Sequence, residues 1–425
     1  MKIWHLDSEY DQLFAWLTGL REGRRSNVRK ATEEIKEAVL RQGETALVAL
    51  SRRFDGWEED HPVLVSRQEL EQSASQVSRA DRAVLKGMIK NVTAYHRGQR
   101  MKPRSYHRNG VTVKETFVPV ERALVYVPGG TAPYPSSLVM GAVPAKLAGV
   151  PEIYATTPAK NGKIHPHVAA AALLLGLTGL YRLGGAQAVY AFSYGIGTVP
   201  KVDMIVGPGN AYVEEAKRDV FGRVGIDMLA GPSELIVLNT ASFDPNILAW
   251  DLFSQAEHDE MATVGLFCPS LEDLYGLMKA MERLISQTPR RKIIEKALED
   301  GGFLVHYTNV ADAISAINGI APEHLEVFGD ESATSGLLYP GVTYAGPYTC
   351  VSMGDYYIGT NHVLPTGGAG RFSAGLSTDR FTRRNVLVKI DKQFFMDCGD
   401  KAVRMSEIEG LIAHGEAIKA RKELL

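Results

Sequence analysis

Short runs of β-branched and apolar residues alternate with longer helical stretches between Ala123 and Leu238. This alternation is the sequence form of repeated βαβ units, because parallel strands need a long crossover, most often a helix, to be joined. The pattern therefore predicts a parallel sheet with helices packed against it. The predicted strands of this block are residues 123–127, 153–156, 204–206 and 235–238.

A second alternating block extends from Ala262 to about Ile390. Residues 1–100 are predicted to be helical, with Ser26 as a helix N-cap, and the apolar residues after Ile390 again have helical spacing. We expect an α/β fold with two Rossmann-like parallel-sheet domains and with helical N-terminal and C-terminal segments. The remaining predictions are strands at 263–267, 303–305, 325–328 and 342–344, helices at 271–287 and 290–298, and a linker at 96–104.

The composition limits the classes of partner. A chain of 425 residues that is 45% hydrophobic can build more than one core, and its net charge of −2 offers no general attraction to nucleic acid or to a membrane surface. The longest apolar run, residues 168–181, is predicted to be a buried helix, because a membrane helix needs about 20 residues. We expect no signal peptide, and three cysteines without a C-x-x-C pair fit a reducing, cytoplasmic compartment.

A glycine-rich turn, Gly207-Pro208-Gly209-Asn210, follows a predicted strand and opens a predicted helix. Such a turn presents main-chain N–H groups to a phosphate at a helix N-terminus. The dinucleotide fingerprint is incomplete, since Tyr212 stands where a third glycine is expected. A phosphate site and a plain strand-to-helix turn therefore remain equally open from this motif. In open α/β sheets ligands bind beyond the carboxyl ends of strands, so a dinucleotide is expected there.

Several polar side chains have the spacing or the chemistry of metal ligands. Gln255 and His258 lie three residues apart, which places both on one face of a helix. Asp355 adds a carboxylate that His362 follows, and His414 lies five residues after Glu409. Imidazole with oxygen donors suits zinc or manganese. Spacing alone leaves open that these are unrelated surface groups, and His165 and His167 are predicted to lie in a solvent-exposed loop.

Glu323 and His324 form an adjacent acid and imidazole before a predicted strand. Such a pair can divide the work of proton transfer, one member activating water and the other accepting a hydroxyl proton. Adjacent Glu and His residues are also common without any chemical role.

The chain resembles the histidinol dehydrogenase family through long motifs in fixed order that cover nearly its whole length. These motifs are RQGETALVALSRRFDGW, VYVPGGTAPYPSSLVMGAVPAKLAGV, GGAQAVYAFSYGIGTVPKVDMIVGPGNAYVEEAKRDV, GIDMLAGPSEL, SQAEHDE, APEHLEV, GDYYIGTNHVLPTGG and EGLIAH.

The resemblance implies a role for each matched residue. It implies one zinc ion per subunit, with His414 supplied by the partner subunit of a homodimer, and Glu323 and His324 as the catalytic pair. The implied zinc ligands are Gln255, His258, Asp355 and His414; the implied substrate contacts are these four with Ser233, His324 and Glu409; the implied NAD contacts are Tyr126, Gln187 and Asn210.

The implied reaction oxidises L-histidinol to L-histidine with two NAD, as the last step of histidine biosynthesis. His324 would accept the hydroxyl proton, Glu323 would activate water, and zinc would hold the substrate in place. The expected domains are an N-terminal arm at 1–25, an α/β domain at 26–122 and 235–380 that carries the catalytic pair and metal ligands, an NAD-binding domain at 123–234, and a helical tail at 381–425 that intertwines with the partner.

One departure from the family pattern bears on the substrate. Cys350 and Val351 stand where Pro and Glu are expected. An alternative is a paralogue of the same family that oxidises another small polar alcohol, for example a sulfonated diol. A metal-dependent hydrolase that uses Glu323 as its base is a second alternative, and a non-catalytic nucleotide-binding protein is a third.

Overall fold

The computed structural model describes residues 1–23, 28–129, 132–241 and 243–424, so the predicted N-cap Ser26 lies outside the described residues. The chain divides into two compact units. The first unit comprises Met1–Gln99 and Val120–Phe381, and the second comprises Arg100–Pro119 and Thr382–Leu425.

The strands are β1 (Lys2–His5), β2 (Arg104–Arg108), β3 (Val111–Pro119), β4 (Arg122–Tyr126), β5 (Glu152–Thr156), β6 (Gly179–Tyr181), β7 (Met204–Val206), β8 (Gly225–Ile226), β9 (Glu234–Asn239), β10 (Thr263–Cys268), β11 (Gly302–His306), β12 (His324–Phe328), β13 (Val342–Ala345) and β14 (Thr382–Ile390).

The α-helices are α1 (Leu6–Gly23), α2 (Arg29–Gln42), α3 (Glu44–Asp55), α4 (Arg67–Ser75), α5 (Arg79–Arg97), α6 (Pro135–Ala148), α7 (Pro166–Leu175), α8 (Gly185–Tyr194), α9 (Ala211–Val220), α10 (Pro245–Ala256), α11 (Leu271–Leu284), α12 (Arg291–Gly301), α13 (Val310–Ile320), α14 (Val351–Tyr356), α15 (Lys392–Ile408) and α16 (Ile412–Lys419).

The first unit contains a six-stranded parallel sheet in the order β1-β11-β10-β9-β12-β13. Alternate residues of β9 serve different cores: Leu235 and Val237 pack in one apolar cluster, while Ile236 and Leu238 pack in another. Both faces of the sheet are therefore covered, as near-continuous apolar strands require. The neighbouring strands β9 and β12 place Leu235 opposite His324, at the amino ends of both strands.

A five-stranded parallel sheet in the order β6-β5-β4-β7-β8 lies in the same unit. Gly207 directly follows β7 and has a φ of +110°, and a Cβ there would collide with the carbonyl oxygen of Tyr126. Glycine allows this close approach, because it adopts positive φ without penalty and has no side chain to collide. Asn210 then caps α9, its Oδ1 accepting from the N–H groups of Tyr212 and Val213 at 3.1 and 3.2 Å.

The second unit contains an antiparallel sheet in the order β14-β3-β2, together with α15 and α16. Most of β14 is exposed in this unit, including Val386, Val388 and Ile390. In the part of the chain that the structure describes, no helix is both long enough and apolar enough to cross a membrane.

The α/β class and both parallel sheets confirm the predicted fold, while several local predictions are wrong. Residues 2–5 form a sheet strand rather than part of a helix, because pairing with β11 outweighs local helical pattern. The run 168–181 is a helix followed by a strand, since Gly176 ends α7 in the left-handed conformation. The predicted linker at 96–104 begins inside α5, where His96 is fully buried. Residues 382–390, expected in an α/β block and a helical tail, form β14.

Candidate active site

The Glu323–His324 pair is held by the main chain of a single residue, Glu234, at the amino end of β9. The N–H of Glu234 donates to Glu323 Oε2 at 2.9 Å, and the carbonyl oxygen of Glu234 lies 3.0 Å from His324 Nδ1. A carbonyl can only accept, so Nδ1 carries the proton in the neutral ring and Nε2 presents a lone pair. His324 Nε2 is buried and has no hydrogen-bond partner among the described residues. The ring is therefore oriented as a base whose acceptor atom is free.

Burial sets the protonation of both members. Burial raises the pKa of Glu323 well above its usual range. The hydrogen bond from the Glu234 N–H lowers this pKa, while the nearby carboxylates of Glu234 and Asp355 raise it. Burial lowers the pKa of His324 to about 3, so the imidazole is neutral at physiological pH. Glu323 thus has a high proton affinity, and His324 is available as a neutral acceptor.

Three of the four expected metal ligands lie in the first unit. Gln255 lies in the last turn of α10, and both atoms of its side-chain amide are buried without a partner in the described chain. His258 follows that helix, its N–H donating to the carbonyl of Gln255 at 3.2 Å, and Asp355 lies in α14. Burial lowers the pKa of His258 and raises that of Asp355, while the attraction between the two side chains opposes both shifts.

This donor set fits a divalent metal. A buried amide with no partner is costly to maintain, and a metal ion would satisfy its oxygen. Across the described ranges, no group of three or more His, Cys, Asp or Glu side chains is gathered closely enough to hold an ion. His258 and Asp355 would supply only two such groups, and Gln255 would add its amide oxygen.

Glu409 and His414 lie in the second unit. Glu409 caps the end of α15, His414 lies in α16, and both are exposed in that unit. Ser233 lies in the first unit directly before β9 and is half-buried.

His362 is a neighbour of this site to which the sequence assigned no role. Its Nδ1 lies 3.1 Å from the carbonyl oxygen of Asp355, and its Nε2 lies 3.3 Å from Ser137 Oγ. Burial lowers its pKa to about 4. The signal was its position in the same GDYYIGTNH motif as Asp355, but spacing could not distinguish a role in the site from a place on the surface.

The three expected NAD contacts lie near the carboxyl ends of β4, β6 and β7 in the five-stranded sheet. The Tyr126 hydroxyl accepts the N–H of Gly185 at 3.0 Å, two residues before the buried Gln187. Asn210 follows Gly207, which touches the main chain of Tyr126. This is the edge where the general rule for open α/β sheets predicts a ligand.

A buried ion cluster fixes the turn before Asn210. Lys217 is fully buried, with its Nζ 2.9 Å from Asp227 Oδ1 and 3.1 Å from the carbonyl oxygen of Gly207. Asp227 Oδ2 accepts the Gly207 N–H at 2.7 Å, and Glu214 accepts the N–H groups of Gly209 and Ala230. These residues were missed, because charged residues on a helix ordinarily predict a solvated face.

The departure at Cys350 and Val351 lies at the start of α14. Val351 packs in the apolar core, and its N–H donates to Glu326 Oε1 at 2.7 Å. Asp355 remains one turn further along the same helix.

Comparison with known proteins decides the family. The family model described as histidinol dehydrogenase matches residues 20–422. The histidinol dehydrogenase of Nitrosomonas europaea is 39% identical over 98% of this chain and 97% of its own length, and that of Chlorobaculum tepidum is 39% identical over 93% of both. A crystal structure of histidinol dehydrogenase from Elizabethkingia anophelis matches with a TM-score of 0.88 and 31% identity, covering 94% of this chain and 93% of that one.

The chain belongs to the histidinol dehydrogenase family. Membership confirms the resemblance seen in the sequence and makes the chain an NAD-linked oxidoreductase.

The lowered pKa of His324 predicts a specific pH dependence of stability. Folded His324 has a pKa of about 3, below the usual value of about 6.5, so the unfolded chain binds more protons between these values and stability falls as pH falls through that window. His324→Gln removes this contribution. The difference in free energy of unfolding, variant minus parent, should therefore be about 2 kcal/mol larger at pH 5 than at pH 8. Denaturant titrations of both proteins at the two pH values measure this. The same difference between variant and parent at both pH values would contradict a neutral, buried His324.

Proposed function

We propose that the protein oxidises L-histidinol to L-histidine in two successive NAD-linked steps at one site, as a cytoplasmic enzyme. The observation that carries the proposal is the Glu323–His324 pair on the main chain of Glu234, where His324 Nε2 is buried and has no hydrogen-bond partner in the described part of the chain. Family membership supports the substrate and the cofactor.

His324 accepts the hydroxyl proton of the substrate through Nε2 in the first step, because its Nδ1 is committed to the carbonyl of Glu234. Tyr126, Gln187 and Asn210 would hold NAD, which would supply the hydride acceptor for each oxidation. Glu323 removes a proton from water in the second step, and the N–H of Glu234 fixes the position of its carboxylate for this role. The neighbouring pair thus divides the two proton transfers between an imidazole and a carboxylate.

A zinc ion would be held by Gln255, His258 and Asp355 of one chain with His414 of a second copy. When bound, zinc supplies a Lewis acid that orients and polarises the substrate. The unpartnered amide of Gln255 and the attraction between His258 and Asp355 support this donor set.

A homodimer follows from the same assignment, with Glu409 and His414 of one chain completing the site of the other. Both side chains are exposed in the second unit, so they are accessible to such a site. The predicted division into an NAD-binding domain at 123–234 and a metal-bearing domain at 26–122 and 235–380 is part of this proposal. The separation of 123–234 from 235–380 is supported by the NAD contacts and the Glu323–His324 pair lying on different sheets.

The test of the function is a substrate panel with NAD. The parent should form two NADH for each L-histidinol consumed, and other amino alcohols and sulfonated diols should give far lower kcat/KM. NADH absorbance and product analysis measure both quantities. Faster turnover of a sulfonated diol would favour the paralogue, and product formation without NADH would favour a hydrolase.

Two variants separate the members of the pair. Glu323→Gln keeps size and hydrogen bonding but loses the base for water, so in a single turnover it should form about one NADH quickly per site and the second much more slowly. His324→Ala should lose about 10² to 10⁴ in the rate of the first oxidation, because general-base loss typically has this effect. If Glu323→Gln formed both NADH equivalents at the parental rate, the division of roles would be wrong.

The shared site is tested by subunit mixing. His324→Ala and His414→Ala should each be inactive alone, and refolding them together should restore one intact site in each heterodimer. Activity of the mixture and zinc content of each variant are the measurements, with His414→Ala expected to lose zinc and His324→Ala to retain it. An inactive mixture with demonstrated heterodimers would place His324 and His414 in the same chain's site.

A further inference from the structure

A partly buried ion pair joins Arg21 to Glu234, the residue whose main chain holds Glu323 and His324. Arg21, in the last turn of α1, approaches Glu234 Oε1 with Nε at 3.0 Å and with Nη2 at 2.9 Å. The Glu234 side chain is 6% exposed and that of Arg21 is 27% exposed. The other carboxylate oxygen, Oε2, accepts the N–H of Gly367 at 3.2 Å. The carboxylate of Glu234 is thus fixed from two directions.

The same guanidinium also reaches the segment that leads to Glu323. Arg21 Nη2 donates to the carbonyl oxygen of Ile320 at 3.0 Å, at the end of α13. The next residue, Ala321, has a φ of +49°, a conformation that non-glycine residues rarely adopt. Arg21 therefore contacts both sides of the pair: Glu234 on β9, and the turn three residues before Glu323.

We propose that Arg21 and Glu234 are a positioning pair that holds Glu323 and His324 in their reactive arrangement. The side chain of Glu234 is fixed by Arg21, and its main chain carries the hydrogen bonds to both Glu323 and His324. Neither residue is expected to touch substrate, so both act through the Glu323–His324 pair. This proposal rests on the proposed function.

Other contacts already fix the positions of β9 and α1. Strand β9 is already paired with β10 and β12, which fixes its register. Helix α1 is anchored by Leu13 and Leu17, both buried in the core. A buried ion pair contributes little net stability compared with a neutral pair of similar volume. The contacts of Arg21 are therefore better explained by the position of Glu234 than by the attachment of α1.

The decisive variants remove the ion pair with and without leaving an unpaired charge. Arg21→Met leaves the Glu234 carboxylate buried without its cation, which should destabilise the fold as well as the site. The double variant Arg21→Met/Glu234→Gln leaves no unpaired charge, so its melting temperature should return toward that of the parent. If the pair positions the site, kcat should stay low in the double variant, whereas a merely structural role predicts that kcat recovers with stability.

The expected loss in kcat for both variants is about 10- to 100-fold, because a misplacement near 1 Å can reduce rate about 10²-fold. Both oxidations should slow together, since both side chains are held by Glu234, and KM for NAD should stay within about twofold of the parental value. Arg21→Lys keeps the charge but not the planar fork of donors, so it should fold and lose less activity. The control is Lys36→Met, which breaks the ion pair with Asp219 at a side chain of similar exposure, 26%.

Parental kcat in the double variant, or a loss in Lys36→Met as large as in Arg21→Met, would overturn the positioning pair. If the double variant did not fold, the two single variants would decide. Parental kcat in both Arg21→Lys and Arg21→Met would then overturn the positioning pair. All comparisons use L-histidinol at saturating NAD. No turnover by the parent would count against the proposed function, whereas equal turnover by parent and variants would count against the positioning pair alone.

Discussion

Two hydrogen bonds to the main chain of Glu234 define the arrangement on which the candidate active site depends. One residue at the amino end of β9 orients a carboxylate through its N–H and an imidazole through its carbonyl. Main-chain groups of a central strand are rigid, because β9 is paired on both sides. The six-stranded sheet therefore holds the two side chains in fixed positions, which their proton transfers require. The bond at Nδ1 leaves Nε2 of His324 as the acceptor atom of the neutral ring, and this atom is buried without a partner among the described residues.

Burial changes the proton affinities of the two groups in opposite directions. The same dry environment raises the pKa of Glu323 and lowers that of His324, because it disfavours the charged form of each. Burial of ionisable groups costs stability. The described chain also buries charged groups at the expected NAD site. There Lys217 is fully buried, and two carboxylates and a carbonyl compensate its charge. In both sites, buried polar side chains thus form hydrogen bonds with main-chain groups at the end of a strand.

The sequence predicted eight of the eleven parallel strands that the structure describes, because these strands are short apolar runs that end near glycine, proline or a small residue. It failed for β1, β6, β8 and β14, and the strand conformation of β1 and β14 depends on partners distant in the chain. The site residues were predicted through motif resemblance rather than spacing, since Gln255 and Asp355 are brought near one another only by the fold. Arg21, Glu234 and Lys217 could not be identified from the sequence, because their contacts join side-chain and main-chain atoms that only the fold brings together.

The tautomer of His324 tests the central claim most directly. Nitrogen-15 NMR of protein labelled at histidine, with His324→Gln used to assign the signal, distinguishes a protonated Nδ1 from a protonated Nε2. The account predicts a neutral ring with the proton on Nδ1 that persists down to pH 5, because the Glu234 carbonyl accepts that proton and burial disfavours the charged ring. A proton on Nε2, or titration of the ring near pH 6.5, would contradict it.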